Sequence, residues 1–301
     1  MSSTTPVLLR GLVDDAAVFP PAETPLPQAI SAHAVHRSAW YAGSVGPLLV
    51  PTASVAELLS LREPHAAPGH EGLVSADAGP GPHASLDVVL VARPGADPAT
   101  VTAGLDAVHG SASTRVVGAE LAWEEGWREL GLDDLRLALE VPRGPDHLRA
   151  VADVAAAVAE GRGVVTKFRT GPTPTWPWPD EPELAGFITE AVRQGAPFKL
   201  TGGLHHVVRG TYEVGGVPEE NHGLLNVLLA TAAAIEGADA EEVAALLALR
   251  DRGALADVVA AWPEATGAGV RATFTAYGCC TVTDPISELA DVGLLDPPPQ
   301  R

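Results

Sequence analysis

The sequence predicts a single α/β domain over residues 1–301, a (β/α)8 TIM-type barrel, on three observations. Short β-branched or aliphatic runs alternate with longer helix-compatible stretches, the order produced by parallel strands joined through helical crossovers. A length of 301 residues suits one core with elaborated loops, and 46% hydrophobic against 19% charged residues supplies that core. No internal repeat and no linker divides the chain. A doubly wound open sheet shares the same alternation, because strand order is not written in a sequence.

The elements read as follows. The first strand is placed at Arg10–Val13, with Asp14 and Asp15 at its C-terminal end, and the second at Pro47–Val50, with a helix opening from Thr52. The third is Leu86–Val91, followed by Asp97, a helix cap with proline after it. Strands at Arg115–Glu120 and Leu135–Val141 precede a helix over about 146–160, for which Gly161 suits the C-terminal end. Strands six and seven are Gly163–Arg169 and Pro197–Thr201. Helices follow at Leu224–Ile235 and Asp239–Ala261, the second opening with a capping-box pattern, Asp-Ala-Glu-Glu. The eighth strand is Val270–Tyr277, and a last helix starts near Asp284. Three long loops stand out: Glu63–Ser85, Gly171–Pro182 with Trp176 and Trp178, and the hairpin-like His205–His222. The latter two follow strands six and seven, on the face where barrels keep their chemistry.

Composition excludes some partners. A net charge of −19 repels phosphate backbones and anionic lipid, so neither nucleic acid nor a membrane surface is expected as a partner. No apolar run approaches the ~20 residues of a membrane helix, and Met1–Pro6 lacks a signal-peptide pattern. The adjacent Cys279 and Cys280 cannot staple a fold, which predicts a reduced, cytoplasmic setting. They read as small buried hydrophobes or a redox pair. A homo-oligomer is left open.

Lysine is the informative residue. It occurs twice, against seventeen arginines, and both copies sit near the ends of expected strands six and seven. Lys167 shares a strand face with Arg169, and Lys199 with Thr201. Neighbouring strands lie ~4.8 Å apart, so the two ammonium groups should feel each other. A nearby positive charge and a dry pocket would lower an amine pKa and make a nucleophile towards carbonyl carbon. Anion binding, or simple pairing with Glu120 and Glu140, would also account for the two lysines.

The run Lys167-x-x-Thr-Gly, followed after a helix by Phe-Lys199-x-x-Gly-Gly-Leu, resembles the class I deoxyribose-phosphate aldolases over about forty residues. That family carries a Lys-Thr-Ser-Thr-Gly motif on strand six and Lys-x-x-Gly-Gly-Val on strand seven. The resemblance implies a Schiff-base lyase on a small carbonyl substrate, phosphorylated or carboxylated, with no cofactor. Lys167 would attack the carbonyl and Lys199 would depress its pKa. Gly202 and Gly203 would let backbone amides approach an anion, and Glu140 in Leu-Glu-Val-Pro matches a family glutamate. The family aspartate on strand four is missing; Glu120 stands nearby, and Asp87 lies in an Asp-Val-Val run on the third strand. Glu120, Asp15 or His206 would move protons, and Arg169 and Arg209 would hold the anion.

A second reading is a metal-dependent hydrolase using His205, His206 and His222 with Asp14, Asp15, Glu120 and Glu140. No His-x-His or His-Glu-x-x-His signature supports it, and no metal ligand is assigned. A third is a non-catalytic binding barrel. His222 and Asn226, at the start of a helix returning to the active face, are candidate ligand contacts, although such an asparagine commonly serves backbone.

Overall fold

The computed structural model describes residues 5–63, 85–93, 95–97, 99–173, 175–214 and 216–296. Eight parallel strands close a barrel in chain order: β1 (Val13–Asp15), β2 (Val45–Pro51), β3 (Leu86–Val91), β4 (Thr114–Ala122), β5 (Arg136–Glu140), β6 (Val164–Arg169), β7 (Phe198–Thr201) and β10 (Phe274–Cys279). β10 pairs with both β7 and β1, which leaves the barrel without an edge and excludes the open sheet. The predicted hairpin is present as β8 (Gly210–Val214) and β9 (Val217–Asn221), antiparallel and outside the barrel. Most of the loop expected at Glu63–Ser85 lies outside the described residues.

The helices between strands are α1 (Leu26–Ser38), α2 (Val55–Arg62), α3 (Ala99–Val108), α4 (His147–Ala159) and α5 (Glu181–Gln194). Between the hairpin and β10 come α6 (Leu224–Glu236), α7 (Ala240–Leu247), α8 (Arg252–Ala260) and α9 (Glu264–Thr273), and α10 (Thr283–Asp291) follows. Among the described residues no helix is long and apolar enough to cross a membrane.

Three expectations are corrected. Strand one lies later than Arg10–Val13, because residues 7–9 form a 3-10 turn and Gly11 continues it. Strand eight starts at Phe274, since the β-branched Val270 and Thr273 belong to α9, where Gly267 and Val270 bury one helical face. The helix expected over Asp239–Ala261 is two helices. Asp239 does form the capping box of α7, but Asp251 accepts from the Ala254 N–H at 3.0 Å and starts α8 afresh.

Alternation along each strand separates two apolar layers. Leu48, Val50, Val88 and Leu90 pack outward with Leu26 and Leu58 of the covering helices. Leu49, Val89 and Val91 point the other way and meet Ala16 and Phe19 inside the barrel. A larger outer core runs beneath α4 to α9, with Phe168 stacked on Phe187, Phe187 edge-on to Phe198, and Phe198 stacked on Phe274.

Candidate functional site

Six charged side chains line the barrel interior as an alternating chain. Asp14 of β1 bonds Lys199 of β7, and Lys199 also meets Glu120 of β4. Glu120 reaches Lys167 of β6 at 2.8 Å, Lys167 reaches Glu140 of β5 at 2.9 Å, and Glu140 accepts from Arg169 Nε at 2.9 Å. The strand registers bring these groups together: Lys167 pairs across with Lys199 on one side and Glu140 on the other. Asp14, Glu120, Lys167 and Lys199 are buried, while Glu140 and Arg169 are half-buried towards the C-terminal mouth. Gly46 makes the chain's inner end fit, since a Cβ there would meet Asp14 Oδ1 at 1.9 Å.

Electrostatics follow from that order. Burial alone would raise Glu120, but Lys167 and Lys199 pull it down to about 2. Burial likewise opposes Glu140, which Lys167 and Arg169 bring to about 2. The neighbouring lysines were expected to depress each other. Instead, although burial pushes both amines down, Glu120 with Glu140 holds Lys167 above its ordinary value, and Asp14 with Glu120 does the same for Lys199. The carboxylates outnumber the like-charge contact, so both ammoniums rest protonated. Asp14 behaves differently. Burial, helped by the negative charge of Glu120, lifts it above the usual aspartate value despite Lys199 and Arg136.

Asp15, expected to move protons, faces the other way. Its neighbour Asp14 takes the interior, and Asp15 Oδ2 lies 3.0 Å from His33 Nδ1 of α1. Asp14 was legible only from alternation: it shares a face with Ala16, whereas Asp15 shares one with Val13. Asp87 is also outside the cluster, in an exposed bidentate pair with Arg115.

The loop residues are largely committed elsewhere. His206 Nδ1 lies 2.7 Å from Glu288 of α10, and its ring stacks on Tyr212 with 3.4 Å between centroids. Arg209 pairs with Glu181 and Glu220. His222 Nε2 donates to the Pro179 carbonyl at 2.8 Å, and burial lowers its pKa, so it is a neutral structural ring. Asn226 donates to the Leu246 carbonyl in the last turn of α7 and to the Leu249 carbonyl just beyond it, and its Oδ1 accepts the Arg209 N–H. Its expected ligand contact is therefore replaced by a capping role. His205 lies 3.1 Å from Thr281 Oγ1, with the Cys279 and Cys280 sulfurs at 3.6 and 3.7 Å. Both thiols are buried and raised above the ordinary value by that burial.

Thr201 closes β7, its carbonyl accepting the Thr170 N–H at 2.8 Å. Gly202 lies against Arg169. Gly203 has φ of +115°, and a Cβ there would stand 2.3 Å from the Trp178 ring. The indole thus occupies the space that a side chain at Gly203 would need. Among the described residues no group of three or more His, Cys, Asp and Glu side chains is placed to hold a metal ion. No protein-family model, no curated protein and no solved structure matches this chain.

Proposed function

We propose that the barrel is a Schiff-base-forming carbon–carbon lyase of the aldolase type, acting on a small carbonyl compound through Lys167. The observation that carries this reading is the unbroken chain from Asp14 to Arg169, with Lys167 between one fully buried carboxylate and one near the mouth. The resemblance of the two lysine motifs to class I deoxyribose-phosphate aldolases assigns the nucleophile to the same residue.

A resting ammonium cannot attack a carbonyl, so substrate entry must release its proton. A carbonyl compound arriving at the mouth separates Glu140 from Lys167, removing one of the two negative charges that hold the ammonium. The proton passes to Glu120, and through Lys199 to Asp14, the one carboxylate of the chain with a raised affinity for it. The free amine adds to the carbonyl, the proton held at Asp14 returns through Lys199 and Glu120 to the carbinolamine hydroxyl, which leaves as water, and the resulting iminium accepts the electron pair of the breaking carbon–carbon bond. Lys199 acts as relay and counter-charge rather than as the group that depresses Lys167.

Borohydride reduction in the presence of small aldehydes and ketones, read by peptide mass, tests this directly. A reduced adduct is expected on Lys167 and not in Lys167→Arg, which keeps a cation between Glu120 and Glu140 but offers no amine. Absence of adduct on either lysine would sink the proposal. The complete pairing of both ammoniums favours one other reading, a non-catalytic binding barrel, which that outcome would select.

A further inference from the structure

The interior of the barrel has two unlike halves. β4 to β7 contribute Glu120, Glu140, Lys167, Arg169 and Lys199, whereas Leu49 of β2 and Val89 and Val91 of β3 form an apolar cluster with Ala16. Phe19, in the segment after β1, packs on this apolar half and carries it towards the mouth. Above Phe19 stands Arg93, two residues beyond β3, its guanidinium carbon 5.8 Å from the ring centroid. Arg93 is exposed and has no ion pair among the described residues. Gly278 of β10 borders both halves: a Cβ there would meet Leu49 at 3.2 Å, Thr201 Oγ1 at 3.5 Å and Ala16 at 3.7 Å.

We propose that Arg93 is a specificity-determining residue, and that the barrel selects oxo acids whose carbonyl and carboxylate are separated by an apolar segment. The carboxylate pairs with Arg93 at the rim, the segment lies along Phe19, Val91, Val89 and Leu49, and the carbonyl is directed to the charged half. The carbonyl part of this inference rests on the Schiff-base reading; the carboxylate and apolar parts do not.

Charge decides between a carboxylate and a phosphate. The six interior groups sum to zero, three cations against three anions, and Arg169 is already matched by Glu140. Arg93 is left as a single positive charge over an aromatic face, which suits a monoanion. A phosphate dianion would want a second cation, and Lys167, Lys199 and Arg169 are each already paired with carboxylates. Guanidinium also suits the planar, two-oxygen edge of a carboxylate.

The test compares three aldehydes in borohydride trapping: 5-oxopentanoate, pentanal and glyceraldehyde 3-phosphate. The oxo acid should reach half-trapping at a concentration about tenfold lower than either of the others, the usual scale of one charge-assisted contact. Arg93→Gln should bring the ratio to pentanal close to one, and Arg93→Lys should restore part of it. Calorimetry with pentanoate, which has no carbonyl, separates this inference from the proposed chemistry. Pentanoate binding lost in Arg93→Gln, without any trapped adduct, would sustain the carboxylate site while the lyase reading falls. Equal trapping of all three aldehydes, tighter use of the phosphate, or pentanoate binding indifferent to Arg93 would overturn it.

Discussion

Lys199 lies between two carboxylates, Asp14 and Glu120, with all three side chains withdrawn from solvent. Removing it leaves negative charge buried without its counter-ion, a change that costs about 3–5 kcal/mol where it has been measured in other proteins. Lys199→Met should therefore lower unfolding free energy by about that much in urea titrations at pH 7. Adding Asp14→Asn to the same chain should recover a substantial part, because the neutral amide no longer needs a cation. No recovery would mean that Asp14 is compensated from elsewhere. The lysines and Glu120 were legible in the sequence as strand-end residues with the right chemistry. Asp14 over Asp15 was not fixed, because the expected strand ended at Val13 and left both beyond the reach of its alternation, whereas both lie inside β1. Arg93 escaped notice because an arginine just past a strand resembles any solvated charge until Phe19 is seen beneath it.

Helix boundaries in the segment before β10 are set by side chains arriving from other elements. Asn226 of α6 supplies its amide hydrogens to one carbonyl in the last turn of α7 and one just past it, and takes the Arg209 N–H on its oxygen. Asn226→Ala abandons three hydrogen bonds around a buried position and should cost about 2–4 kcal/mol. The exposed cap Asp239→Ala should cost only about 1 kcal/mol. Thermal unfolding of both variants checks the order, and the reverse ranking would assign the stability of α7 to its own capping box. The strands of the barrel were readable to within a few residues because each is a short aliphatic run bounded by polar or Gly/Pro positions. The helical segment was not. Its break depends on Asn226, fourteen residues before the helix it ends begins, and no local pattern at Leu247–Arg250 announces it.

At the scale of the molecule, the buried carboxylates link stability to pH. Glu120 and Glu140 fall from the ordinary glutamate value of 4.5 to about 2 on folding. Their contribution is fully present above pH 4.5 and is lost as pH falls through that window towards 2. Asp14 shifts upward, so it acts in the opposite sense and offsets part of the gain above its ordinary value of 3.8. Acid titration followed by near-ultraviolet circular dichroism should show unfolding free energy dropping between pH 4.5 and 2. Glu120→Gln should flatten that slope. An unchanged slope would show that the surface carboxylates govern acid stability. The closed barrel itself was the most legible level, since alternation of strand and helix over 301 residues leaves few arrangements.

The indole of Trp178 lies against Gly203, two residues past the strand that carries Lys199, and Trp176 of the same loop lies partly in solvent with the Arg143 guanidinium over its ring. The protein thus carries its own optical probe beside the barrel mouth. Indole emission responds to polarity and to nearby charge, so an event at the end of β7 has a spectral readout without any attached dye. Replacing the remaining tryptophans with phenylalanine would leave this loop as the sole source of that light.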